Sequence, residues 1–148
     1  MSELTDLYQQ VLLDHYRSPR NRGKPAGAER SAEGHNPLCG DRITVHVDFA
    51  DDRLRAIGFE GSGCAISQAS ASLMTEAARG LTRAEFERLF AAFRAAVTGG
   101  APEPGVELGK LEALTGVAAF PMRVKCATLA WHALVAALGA RPGVVSTE

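Results

Sequence analysis

Four residues in this chain are of a type and placement to do metal or thiol chemistry: Cys39, Asp41, Cys64 and Cys126. The three cysteines are odd in number and widely spaced, which argues against a disulfide framework. Asp41 stands two residues after Cys39 and can turn a carboxylate toward the same point as that thiolate. Three thiolates and one carboxylate make a tetrahedral set for Zn²⁺, or a ligand set for iron in a cluster. Cys-x-Asp is a short pattern, and no Cys-x-x-Cys pair anchors it. Spacing alone therefore leaves open that these are three unrelated thiols.

The elements that must position these residues can be read from pattern. Residues 42–49 alternate strictly, with Ile43, Val45, Val47 and Phe49 on one face. Ala50-Asp51-Asp52 reads as a turn and 53–60 as a second strand, giving an antiparallel hairpin. Cys39 falls in the loop Asn36-Pro37-Leu38-Cys39-Gly40-Asp41, just before the first of these strands. Gly61-Ser62-Gly63-Cys64 follows the second and opens a helix over about 65–79. Cys64 thus stands at a helix N-terminus, where free amides and the helix dipole favour a thiolate. Phe120-Pro121 opens a last helix, ended by Gly139 and Pro142. Its buried stripe reads as Val124, Ala127, Thr128, Trp131, Leu134, Val135 and Leu138. Cys126 lies about 200° from Val124 round the helix. That phase takes it off the stripe and argues against a merely buried thiol. All three cysteines therefore sit at the ends of elements, and such ends can converge in an α+β domain.

Apolar steps of three and four predict helices over 4–17 and, after the capping box Thr82-x-x-Glu85, through Phe86, Leu89, Phe90, Phe93 and Val97. Residues 18–38 read as loop with a short strand near 28–34. The basic run Arg17, Arg20, Arg22, Lys24 is either a solvated loop or a docking surface for an acidic partner. Residues 98–109 read as a surface connection, and Leu111 and Leu114 suggest a short helix. His46 reads as a plain surface histidine, and His15 and His132 as core histidines. His35 is either a base near Cys39 or an idle loop residue. Lys125 is a solvated lysine, or one that lowers the pKa of the adjacent thiol.

The chain has 148 residues, 46% hydrophobic and 22% charged, which fits one ordinary globular domain over 1–148. Its net charge of -1 gives no support to nucleic-acid binding. No apolar run is long enough for a membrane span, and the acidic start lacks a signal-peptide pattern. A cytoplasmic protein is expected. A Cys39–His35 hydrolase would leave Asp41, Cys64 and Cys126 unexplained. A zinc-stabilised interaction domain without thiol chemistry is a further alternative.

Four segments carry a family resemblance: 7–21 (Leu-Tyr-x-x-Val-Leu-x-x-His-Tyr-x-x-Pro-Arg-Asn), 34–41 (Gly-His-Asn-Pro-Leu-Cys-Gly-Asp), 58–72 (around Gly61-x-Gly63-Cys64-Ala-Ile-Ser) and 123–131 (Arg-Val-Lys-Cys-Ala-x-Leu-x-Trp). Together they resemble the U-type iron–sulfur cluster assembly proteins, the NifU N-terminal/IscU/SufU family. The resemblance implies a single α+β domain, a small antiparallel sheet packed against several helices, with a metal site of Cys39, Asp41, Cys64 and Cys126. Two departures separate this chain from the IscU type. Lys125 stands where that type has His, and the stretch from Cys64 to Cys126 is longer. Both resemble the SufU branch. That branch implies a zinc-bound sulfur acceptor served by a cysteine desulfurase of the SufS/IscS type, with Cys39 as acceptor and Cys126 as its rival. The IscU type implies instead a scaffold that holds a [2Fe–2S] cluster on Cys39, Cys64 and Cys126 and passes it to apo-proteins.

Overall fold

Asp51 and Asp52 both adopt left-handed backbone, at φ 55° and 60°. Two successive positive-φ residues match the right-handed twist of flanking strands, and Asp tolerates this conformation better than most residues. They close a hairpin between β2 (Asp41–Ala50) and β3 (Arg53–Ser62). Strand β1 (Arg30–Asn36) pairs antiparallel with the other edge of β2, from Arg30 opposite Val47 to Asn36 opposite Asp41. A three-residue strand β4 (Val144–Ser146) adds to β1 in parallel, giving the order β3-β2-β1-β4. The computed structural model describes residues 3–38, 40–100, 105–139 and 144–146. Cys39, Pro142 and part of the 98–109 connection lie outside the described residues.

The expected α+β architecture, an antiparallel sheet against helices, is what forms. The strand expected near 28–34 is β1, two residues later. β4 was not anticipated, because three residues cannot show a period.

Ile43, Val45, Val47, Leu54 and Phe59 are fully buried on the inward side of the sheet. Helix α4 (Pro121–Leu138) packs on β1 and β2 with one side and on α2 (Ala65–Ala78) with another. Helix α1 (Glu3–Arg17) packs on α2. Helix α3 (Arg83–Val97) and an 11-residue 3-10 helix (Gly109–Ala119) complete the helical layer around α4. The 3-10 helix takes the place of the short helix expected around Leu111 and Leu114. The capping box forms: Glu85 N–H donates to the Thr82 hydroxyl, and Thr82 N–H to the Glu85 carboxylate.

Because elements surround α4, it is buried almost all round rather than along one stripe. This corrects the phase argument for Cys126, which is only 1% exposed, whereas Val135, placed on the stripe, is 40% exposed. Trp131 lies at the centre of the helical layer, its ring stacked with Phe93 at 4.5 Å, Phe90 at 5.5 Å and Phe86 at 5.8 Å. Its Nε1–H donates to Ser70 Oγ at 3.0 Å, and Ser70 Oγ–H donates to the Ala127 carbonyl. Helices α2 and α4 are thus joined by polar as well as apolar contacts.

Two histidine readings resolve differently. His15 is a core histidine as expected, with Nδ1 2.7 Å from Ser72 Oγ. His46 is not a plain surface residue: it is 7% exposed and bonded to Ser31 and Glu60. The basic run is neither uniformly solvated nor free. Arg20 reaches Asp14, and Arg22 donates to Gln68 Oε1 and the Gly61 carbonyl, each at 2.9 Å.

Trp131→Ala should destabilise the chain by about 3–5 kcal/mol, read as a lower denaturant midpoint. Burial, and then the nearby Arg20 charge, lower the pKa of His15. The folded chain therefore binds fewer protons than the unfolded one below about pH 6.5. Stability should fall as pH drops through that value, and His15→Gln should flatten the slope of stability against pH there.

Candidate metal centre

Three separate elements deliver the centre. Asp41 is the first residue of β2, Cys64 lies between β3 and α2, and Cys126 lies in the second turn of α4. The carboxylate and the two sulfurs all lie within 4.8 Å of one another. Asp41 and Cys126 are both buried, and Cys64 is half-buried. The centre thus opens toward solvent on the Cys64 side.

Local sequence explains why Cys64 is held where it is. Its extended backbone, φ -69° and ψ 169°, makes it the N-cap of α2. The Ser67 N–H donates to its sulfur at 3.5 Å, and the Ser67 hydroxyl donates to its carbonyl at 3.0 Å. Asp41 Oδ1 accepts from the Cys64 N–H at 2.8 Å, and Oδ2 stands 3.6 Å from the Cys64 sulfur. One carboxylate therefore caps the helix entry and also faces the thiol. The preceding glycines make this approach fit. A Cβ on Gly63 would lie 2.5 Å from Ser67 Oγ and 2.7 Å from Asp41 Oδ1. A Cβ on Gly61, at φ +134°, would strike the Arg42 carbonyl.

The Cys64 thiol is pulled down to about 6, foremost by a hydrogen bond with Cys126 and next by the Ser67 amide, while burial and the Asp41 charge oppose the shift. Thiolate at neutral pH is the form that binds metals and attacks sulfur.

Of the four ligands expected from sequence, Asp41, Cys64 and Cys126 come together. Cys39 lies outside the described residues. Its neighbours are nevertheless fixed by a buried residue. Asn36 Oδ1 accepts from Leu38 N–H at 3.1 Å, and the Asn36 carbonyl accepts from Gly40 N–H at 2.8 Å. His35 sits on β1 opposite Arg42 and is not one of the three clustered groups. Lys125 is half-buried beside Cys126. Sequence reasoning missed Ser67 as the cap partner and Asn36 as the loop anchor. The first was visible as a serine three residues after an N-cap; the second carried no periodic signal.

Two thiols and a carboxylate gathered from three elements of an α+β domain form the donor set of a candidate metal site. Comparison with known proteins defines the protein further: the sequence profile described as "NifU-like N terminal domain" matches residues 7–127, and the chain belongs to that family. It is 43% identical to the iron–sulfur cluster assembly scaffold protein IscU of Streptococcus pyogenes serotype M1, over 93% of this chain and 86% of that one. It is 41% identical to the zinc-dependent sulfurtransferase SufU of Bacillus subtilis strain 168, over 90% of each. Among solved structures, FiSufU of the SUF system of Fervidobacterium islandicum AW-1 matches with a TM-score of 0.82 and 34% identity, over 93% of this chain and 99% of that one.

In metal-free protein, alkylation of Cys64 should reach half its maximal rate near pH 6, and Cys126→Ala should move that midpoint upward by removing the largest stabilising contact. Gly63→Ala should weaken metal binding by about 10–100-fold, read by competition with a chromophoric chelator, because the added methyl displaces Asp41 and Ser67.

Proposed function

We propose that this chain serves iron–sulfur cluster biogenesis as a zinc-bound sulfur acceptor, taking persulfide sulfur from a cysteine desulfurase of the SufS/IscS type. The observation that carries the reading is the meeting of Asp41, Cys64 and Cys126 around one point. The donor set fits Zn²⁺. Tetrahedral thiolate sites with Zn–S of about 2.3 Å have sulfurs about 3.8 Å apart, so these groups need to close by only about 1 Å. Cys39 is the fourth ligand in this reading. Bound Zn²⁺ would keep the thiols deprotonated and guard them from oxidation.

The rest of the chemistry belongs to the chain. A thiolate attacks the outer sulfur of the desulfurase persulfide. A new S–S bond forms here, the old one breaks, and the desulfurase cysteine leaves as thiolate. We assign the acceptor role to Cys39, with Cys126 as the rival. The burial of Cys126 in a packed helix weighs against the rival. The downstream recipients are cluster-assembly proteins or apo iron–sulfur proteins.

A second reading has its own support in the 43% identity to a protein named as an IscU scaffold. There Cys39, Cys64 and Cys126 hold a [2Fe–2S] cluster as cargo. Lys125, in the place where IscU-type proteins carry His, weighs toward the zinc reading.

Metal and acid-labile sulfide content of protein purified without oxygen separates the two. About one zinc per chain with little sulfide is expected; iron and sulfide in comparable amounts would establish the scaffold instead. Cys39→Ser should abolish sulfur uptake from the desulfurase, measured as persulfide on this chain. Uptake at the native rate would move the role to Cys126.

A further inference from the structure

The outer face of the sheet carries a second group of reactive side chains, none of them a member of the Asp41–Cys64–Cys126 cluster. Ser31 on β1 is paired with His46 on β2, and Glu60 on β3 is paired with Thr44, the next outward position of β2. The register thus sets a serine, a histidine and a carboxylate across three adjacent strands. Ser31 Oγ is 2.6 Å from His46 Nδ1, and His46 Nε2 is 3.2 Å from Glu60 Oε2. Glu33, another carboxylate of β1, is engaged by Arg42 at 2.9 Å. Glu60 is therefore the acid on the imidazole.

An ionised carboxylate only accepts hydrogen bonds, so the ring proton sits on Nε2 and Nδ1 is the acceptor. The Ser31 hydroxyl then donates to Nδ1. This is the polarity a serine nucleophile needs from its base, with a third group orienting the base. The ring is 7% exposed and held from both sides, while Ser31 is exposed and can be reached from solvent. Thus a fixed base adjoins an accessible hydroxyl.

We propose that Ser31 is an acyl-accepting nucleophile, with His46 as its general base and Glu60 as the residue that positions His46, acting on activated acyl donors such as phenyl esters or thioesters. Ser31 Oγ forms a bond to the acyl carbon as its proton passes to His46 Nδ1. The bond from that carbon to the leaving oxygen or sulfur breaks, and the leaving group takes the proton from His46. The product is one acyl ester on Ser31, and the inference is confined to that single transfer.

The test treats the full chain with p-nitrophenyl acetate and locates acetyl groups by peptide mass spectrometry. Ser31 and Cys39 fall on one tryptic peptide, so fragment ions are used to tell them apart. Ser31 should acetylate about 100-fold faster than the exposed Ser18, the low end of general-base catalysis. Glu60→Gln, on a side chain 56% exposed, should slow it at least about tenfold. His46→Asn should remove the advantage, and added imidazole should restore part of it, which a purely structural role for His46 would not allow. Acetylation of Ser31 no faster than of Ser18, or a rate unchanged by Glu60→Gln and His46→Asn, would overturn the proposal.

Discussion

Helix α4 must be solvated by protein on nearly every side, and that constraint organises the molecule. A sheet alone covers one side of a helix. Covering the rest requires α2, α3 and the 3-10 helix, and their apolar faces are matched to it through the stack around Trp131. Burial on this scale makes an unpaired polar group costly. Ser70, which joins the Trp131 indole to the Ala127 carbonyl, answers that demand. It also fixes α2 against α4, which carry Cys64 at the entry of one and Cys126 in the early turns of the other.

The candidate metal centre inherits its shape from this packing. Cys126 comes from a helix packed on most of its sides, and Asp41 is the first residue of the interior strand β2. Both are buried. Cys64 completes the group from a turn whose glycines let the backbone pass close to the carboxylate. Thiolate character and backbone position then come from the same few contacts. The Cys126 thiol and the Ser67 amide hold charge on the Cys64 sulfur, while Asp41 holds its backbone. A site built this way has two fixed walls and one side open to a partner.

Much of this was legible in the sequence, for reasons that differ by element. β2 alternates because one face meets the core, and α3 shows a helical stripe because it has one buried side, whereas the stripe of α1 is buried only at His15 and half-buried at Tyr8, Val11 and Leu12. α4 broke the rule. A helix buried all round has no phase to read, so Cys126 was placed outside and Val135 inside. His46 misled in a related way: strand alternation assigns it to the outer face, yet a polar face can be internally bonded and closed to water. β4 was too short to carry a pattern. The donor types were legible from residue identity and their grouping from the family resemblance, whereas the distances between them depend on register and crossing geometry that no local window contains.

The sulfur of Cys64 has two duties at once: it is the acceptor that terminates the first turn of α2 and a member of the reactive group. A thiolate sulfur has lone pairs enough for both, so the cap orients the sulfur while leaving it able to react. The position of that atom is therefore tied to the first turn of α2. Further along the same helix, Ser70 and Ser72 bond to α4 and to His15 of α1. One helix thus carries the reactive sulfur at its entry and anchors two neighbouring helices along its length.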